Sequence, residues 1–303
     1  MKQLLVLSGK GGTGKTTVAA SLITLAGIGA DATGMNVVCA DCDVDAPNLH
    51  LIHGGHGLPE TEDYYGFEKA AIHPELCTKC GLCETLCRFD AILDMKVNSL
   101  ACEGCGVCEA FCPVMDAAGK KAIRLEKNIS GITRLFHQGD WVFSTAELKM
   151  GNGASGKLVG KVRRNLYNAM DKQALVILDG SPGIGCPVIA SVTGVDAVLI
   201  VTEPTLSGLH DMGRLVDVAR QFGAECLVCI NRYDLHPGYS DQISGYCDSL
   251  GIPLLARIPY DKAAISAVNR GEPLVNVSDS PAAAVLRKLW VDLQNRLWPA
   301  DHL

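Results

Sequence analysis

Residues 8–17 read SGKGGTGKTT, and the fold turns on what flanks them. Gly9-Lys10-Gly11-Gly12-Thr13-Gly14-Lys15-Thr16 fits the phosphate-loop pattern G-x-x-x-x-G-K-[ST]. An apolar run, QLLVLSG at 3–9, leads in, and a helical pattern, TTVAASLITLAG at 16–27, leads out. Glycines let backbone N–H groups turn inward around phosphate oxygens, and a helix start adds partial positive charge. Lys15 is expected to reach the β- and γ-phosphates, and the Thr16 hydroxyl to ligate Mg2+. ATP or ADP with Mg2+ is therefore the expected ligand, with Gly9 through Thr16 and the adjoining Thr17 around it.

Working outward, five more short apolar runs alternate with helical patterns: NVVCAD at 36–41, ALVILDG at 174–180, DAVLIVTE at 196–203, CLVCIN at 226–231 and PLLARIP at 253–259. Continuous apolar strands separated by helices predict a doubly wound α/β domain with a mostly parallel sheet covered on both faces. Asp41 and Asp43 follow one strand and Asp179 ends another. Carboxylates at such strand ends lie beside the phosphate crevice, where they can hold Mg2+-bound water or orient the attacking water. A second near-match, GNGASGKL at 151–158, ends in Leu158 and lacks a clear preceding strand, so it reads as a loop and helix start.

The alternation breaks between Leu51 and about Leu125, and here lie eight of the chain's 14 cysteines. Cys77, Cys80, Cys83 and Cys87, then Cys102, Cys105, Cys108 and Cys112, each follow C-x2-C-x2-C-x3-C. This is the bacterial ferredoxin run, in which three thiolates grip one [4Fe-4S] cube and the fourth crosses to the other. One cluster is expected on Cys77, Cys80, Cys83 and Cys112, the second on Cys102, Cys105, Cys108 and Cys87. Zinc competes for C-x2-C pairs, but three close cysteines plus a fourth, twice over, favour clusters. Arg88 stands where proline is usual after the first run, whereas Pro113 is kept after the second. Residues 67–127 carry nine acidic and eight basic side chains, so partner docking is not dominated by long-range steering. The expected organisation is a P-loop domain at 1–66 and 128–303, with a small α+β two-cluster ferredoxin-like domain inserted at 67–127.

Lys10 in KGGTGKT resembles the extra lysine of the deviant phosphate loop of the MinD/ParA family. That family, of the SIMIBI type, includes the nitrogenase iron protein and the Mrp-type iron-sulfur carriers. DCDVDAPN, TEPTLSGLHDMGR and IPYDKAAISAVNRGEP are similar to it as well. The resemblance implies a homodimer that sandwiches its nucleotides, with Lys10 crossing to the partner's phosphates. It implies that Asp43 positions the hydrolytic water, Asp41 and Asp179 support Mg2+, and Asn231 contacts adenine. Lys10, Lys15 and Asp43 are thus the expected catalytic set.

Composition sets the compartment. The chain has 303 residues, 48% apolar and 20% charged, which suits a packed core. No apolar run reaches the roughly 18 residues of a membrane span, and QLLVLSG is too short for a secretory signal, so a cytoplasmic protein is expected. Reducing conditions there disfavour disulfides and point the cysteines to metal or redox chemistry. A net charge of −6 gives no long-range attraction for nucleic acid.

Weaker signals have plainer readings. Cys186, seven residues after Asp179, reads as a small packed cysteine, with a metal site bridging two subunits as the alternative. Cys39 and Cys42 flank a strand end; Cys226 and Cys229, which should face opposite sides of their strand, read as core, and Cys247 reads as structural. His50, His53 and His56 read as a polar surface loop. Leu286, Leu289, Trp290, Leu293 and Leu297 form one helical face expected to pack on the sheet rather than bind membrane. The expected function is an ATPase whose nucleotide state governs electron delivery from two clusters to a partner protein. The alternatives are an ATPase that assembles or carries an iron-sulfur or other metal cofactor, and, behind both, a positioning ATPase on membrane or DNA.

Overall fold

The computed structural model describes residues 1–28, 36–53, 57–170 and 174–297. Thirteen strands occur among them: β1 (Lys2–Ser8), β2 (Val37–Asp41), β3 (Glu60–Tyr65), β4 (Lys69–Ile72), β5 (Ile92–Leu93), β6 (Lys96–Val97), β7 (Ile123–Glu126), β8 (Ile129–Gln138), β9 (Trp141–Leu148), β10 (Leu175–Pro182), β11 (Ala197–Thr202), β12 (Glu225–Asn231) and β13 (Leu254–Ile258). Nine form one sheet in the order β13-β12-β11-β1-β10-β2-β9-β8-β3. The seven strands from β13 to β9 run parallel; β8 and β3 are antiparallel additions at one edge. All six apolar runs read from the sequence are strands of the parallel part.

Alternation along β1 explains why both faces are covered. Leu4 and Val6 enter one core, with the helices Lys15–Ile23 and Pro281–Leu297, while Leu5 and Leu7 enter the other, with Ser155–Ala169 and Leu206–Gln221. Cys229 lies in the first core and Cys226 in the second, as strand alternation requires. Leu286, Leu289, Trp290, Leu293 and Leu297 are all buried in the first core, so the apolar stripe of the last helix is spent on the sheet. Among the described residues no helix is long and apolar enough to cross a membrane.

Within the nine-stranded sheet, the strands the periodicity did not reveal are β3, β8 and β9. β8 and β9 form a hairpin over the two-residue turn Gly139-Asp140, with Gln138 opposite Trp141. A second ladder pairs β3 with β8, from Glu60 opposite Leu135 to Tyr65 opposite Ile129. Residues 67–127 therefore leave the sheet at the end of β3 and return at the start of the neighbouring β8. Just beyond, β4 pairs antiparallel with β7. Two short helices, Leu82–Leu86 and Val107–Phe111, each start after a glycine in the left-handed region, Gly81 at φ 77° and Gly106 at φ 75°. A small core of Ala70, Ala91, Ile92, Cys102, Cys108 and Ile123 holds this segment together, apart from the two cores of the sheet.

Candidate functional site

The phosphate loop is braced from several sides. After β1 the Ser8 hydroxyl donates to the Lys10 carbonyl at 2.9 Å. Gly14, at φ 92°, begins the helix Lys15–Ile23 in a conformation that side chains rarely adopt, and a Cβ there would run into the Asn231 amide. Asn231 Nδ2 donates to the Thr13 carbonyl at 2.7 Å, and Asn231 Oδ1 accepts from the Arg232 N–H at 3.0 Å. Asn231, assigned to adenine by resemblance, thus clamps the loop while lining a recess with Thr17, Arg232 and Tyr260.

Lys15 is buried among carboxylates. Its ammonium donates to Asp179 Oδ1 at 2.7 Å and to Thr16 Oγ1 at 3.3 Å, and lies 3.9 Å from Asp43 Oδ2. Burial works against its charge, but Asp179, then Asp41 and Asp43, raise its pKa above the usual lysine value. Asp41 Oδ1 accepts from the Asp43 N–H at 3.0 Å, and Oδ2 from the N–H groups of Asn48 and Leu49 at 2.9 Å each. Burial first, and the Asp179 charge second, push the Asp41 carboxyl up to about 7; burial pushes Asp43 up to about 6. Asp179 Oδ2 and Thr13 Oγ1 are buried without a hydrogen-bond partner among the described residues. An orphaned oxygen on Asp179, whose other oxygen shares the Lys15 ammonium with the Thr16 hydroxyl, suits a hard divalent cation with oxygen ligands, so the donor set fits Mg2+.

The cleft over these groups is lined by Gly11, Gly12, Gly14, Lys15, Thr16 and Thr17, with Asp43, Ser155, Ser181 and Arg232. Gly9 is packed instead against Asp211 on the helix Leu206–Gln221. Lys10 does not line the cleft. Its ammonium pairs with Glu203 and donates to Ser207 Oγ at 3.3 Å, and the same Glu203 carboxylate lies 3.8 Å from Arg232. Ser155, which sequence reading treated only as a helix start, stands in the cleft opposite the loop.

The cysteine runs gather into two groups. Cys77, Cys80, Cys83 and Cys112 line one pocket with Ile72 and Pro113. Cys102, Cys105, Cys108 and Cys87 line another with Phe89 and Leu125. Each group takes three thiols from one repeat and the last thiol of the other. Backbone N–H groups of Lys79, Ala91 and Ala70 donate to the sulfurs of Cys77, Cys87 and Cys102, each at 3.4 Å. All 14 cysteines are free thiols. Among the described residues no three His, Cys, Asp or Glu side chains stand close enough to hold a single metal ion. Four thiols around a largely apolar cavity, with N–H donors to sulfur, fit a cube-sized inorganic group.

Two weaker readings are corrected. His53 is buried, not on a surface loop: its Nε2 lies 3.0 Å from the Ala20 carbonyl and 3.5 Å from Thr24 Oγ1. His56 lies outside the described residues. Cys186 is exposed rather than packed, at the first position of the helix Cys186–Val192.

The model of the CobQ/CobB/MinD/ParA nucleotide-binding domain matches residues 4–274. An uncharacterized protein of Methanocaldococcus jannaschii is 36% identical over 232 residues, 76% of this chain and 78% of its own length. An iron-sulfur cluster carrier protein of Pyrococcus abyssi is 25% identical over 314 residues, 97% of this chain and 86% of its own. In fold, the chain is similar to the septum site-determining protein MinD of Pyrococcus horikoshii, solved with Mg-ADP. The TM-score is 0.58 at 20% identity, covering 97% of this chain and 96% of that one.

Proposed function

The chain belongs to the CobQ/CobB/MinD/ParA nucleotide-binding family, and from that premise we propose that it is an ATPase whose nucleotide state governs electron delivery to a partner protein. In this reading residues 1–66 and 128–303 are the ATPase body, and 67–127 an inserted ferredoxin-like domain. The observation that carries it is the gathering of eight thiols into two groups, each drawn from both repeats, in a chain that also holds a full phosphate loop. Two [4Fe-4S] clusters, held by Cys77, Cys80, Cys83 and Cys112 and by Cys102, Cys105, Cys108 and Cys87, would supply one-electron storage.

The chain's own residues divide the hydrolytic work. The N–H groups of Gly11 to Thr16 surround the phosphates, and Lys15 neutralises charge on the β- and γ-phosphates. Mg2+, held by the Thr16 hydroxyl with Asp41 and Asp179 beside it, would neutralise the remaining phosphate charge. Asp43, half-buried at the cleft wall with its pKa near 6, orients the attacking water. The bond from water oxygen to the γ-phosphorus forms as the bond to the β,γ-bridging oxygen breaks. Lys10 leaves Glu203 to meet the phosphates of the facing subunit, closing a homodimer.

The test is anaerobic. Iron should be about eight per chain, and after dithionite reduction the electron paramagnetic resonance signal should change with Mg-ATP. Zinc in place of iron at the eight thiols would sink this reading, and reduction of the partner at one rate with ATP, ADP or neither would remove the coupling. A second reading, a cofactor carrier, is favoured by the likeness to the Pyrococcus abyssi protein and by the exposed Cys186 beside the Asp179 turn. It predicts an additional portion of iron that chelators remove quickly and that Cys186→Ser abolishes.

A further inference from the structure

We propose that the segment 148–157 is a relay that carries the state of the nucleotide cleft to the Cys102 group. The inference rests on the nucleotide reading above and adds the path by which the two chemistries meet in one chain.

The segment touches both loops that line the phosphate end of the cleft. At its start the Leu148 N–H donates to the Val44 carbonyl at 2.9 Å, one residue beyond Asp43. At its end Ser155 lines the cleft. The next residue, Gly156, sits so close to the start of the helix that follows the Asp179 turn that a Cβ would lie 3.0 Å from the Cys186 carbonyl oxygen. Displacement of either loop therefore has to displace this segment, because packed backbone has little slack.

Between those ends the segment lies on the cysteine insert. Gly151, at φ 73°, leaves room for Leu100, whose Cδ2 would be 2.9 Å from a Cβ there. Lys69 donates both to the Gly151 carbonyl, at 3.4 Å, and to the Cys102 carbonyl, so one ammonium ties the segment to a cluster-ligand residue. Asn152 Oδ1 accepts at 2.9 Å from Nδ2 of Asn128, the first residue after the insert, so this bond holds the segment at the insert's point of return. A Cβ on Gly153 would meet the Phe67 ring at 3.3 Å, and the Lys157 ammonium stands 4.8 Å from the centre of that ring.

Where insert-facing and cleft-facing portions join, Ala154 is held at φ 79°, a left-handed conformation that costs a non-glycine residue energy and persists only where the surroundings impose it. A strained joint between two packed contacts is the kind of element that adopts discrete arrangements, which coupling between distant sites requires. Gly151 and Gly153 of GNGASGKL thus serve close packing against the insert, and Gly156 close packing against Cys186.

Hydrogen–deuterium exchange on the full anaerobic chain, with and without Mg-ATPγS, tests the relay. In the wild type, nucleotide should slow exchange at 9–17 and change exchange at 98–104 by about threefold or more. Phe67→Ala and Asn152→Ala cut contacts of the segment outside the nucleotide site and the thiol groups. In both, protection at 9–17 should persist while the change at 98–104 is lost. Wild-type protection at 9–17 with no change at 98–104, or an undiminished change in the variants, overturns the relay alone. No protection at 9–17 overturns the nucleotide reading and the relay with it. If Phe67→Ala loosens 98–104 without nucleotide, Asn152→Ala carries the test.

Discussion

Replacing Lys15 by methionine keeps most of the side-chain volume but removes the ammonium that sits on Asp179, with Asp41 and Asp43 close by. Asp41 and Asp179 are fully buried, and breaking a buried pair by deleting one partner costs about 3–5 kcal/mol. That loss should appear at pH 8, where the carboxylates are ionised. Asp41 and Asp43 already titrate near 7 and 6 in the fold, above the unfolded aspartate value of about 3.9. The folded chain therefore binds more protons than the unfolded one between those values. On account of these two groups, wild-type stability falls as pH rises from about 4 to 7. Without Lys15 both carboxyls should titrate higher still, each further unit adding about 1.4 kcal/mol to the penalty at pH 8 that protonation relieves near pH 5. Urea unfolding of the nucleotide-free protein, followed through the buried Trp141 and Trp290, measures both losses. A loss under about 1 kcal/mol at pH 8, or equal losses at pH 8 and pH 5, would refute the picture of a carboxylate cluster held by one ammonium.

Cys112→Ser and Cys87→Ser should each remove about half of the iron, the first from the Cys77 group and the second from the Cys102 group. Loss of the opposite signal in electron paramagnetic resonance would overturn the crossed assignment. Ala154→Gly relieves a left-handed alanine and should stabilise the chain by about 0.5–1 kcal/mol in urea melts. Gly14→Ala forces a Cβ toward the Asn231 amide at φ 92°; nucleotide affinity by calorimetry should fall about tenfold or more, and an unchanged affinity would count against the clamp. Lys10→Ala should abolish ATP-dependent dimerisation in light scattering while leaving binding of nucleotide to the monomer intact.

What could be read from the chain followed the range of the interactions. The phosphate loop and six parallel strands were legible because local periodicity and glycine spacing encode them. The grouping of Cys112 with the first run and Cys87 with the second follows the ferredoxin run, in which the fourth thiol crosses to the other group. β8 was missed because its alternation is irregular: its burial runs through Ser130, Gly131 and Thr133 as much as through Phe136. The turn Gly139-Asp140 was its available signal. His53 looked like surface because its partner, the Ala20 carbonyl, lies 33 residues away. The role of 148–157 was hidden for the same reason: its glycines imitate a phosphate loop, while their neighbours, Leu100 and Phe67, come from another part of the chain.

The point at which the cysteine segment departs bears on how such a protein could arise. Tyr65 and Ile129 face each other across adjacent antiparallel strands, so the ends of the intervening segment stand side by side. A short turn in place of the segment would leave an ordinary β-meander at the sheet's margin, with no parallel strand disturbed. Ancestors with a bare margin could have gained the cysteine segment in one genetic step, and excision by design should be just as undemanding.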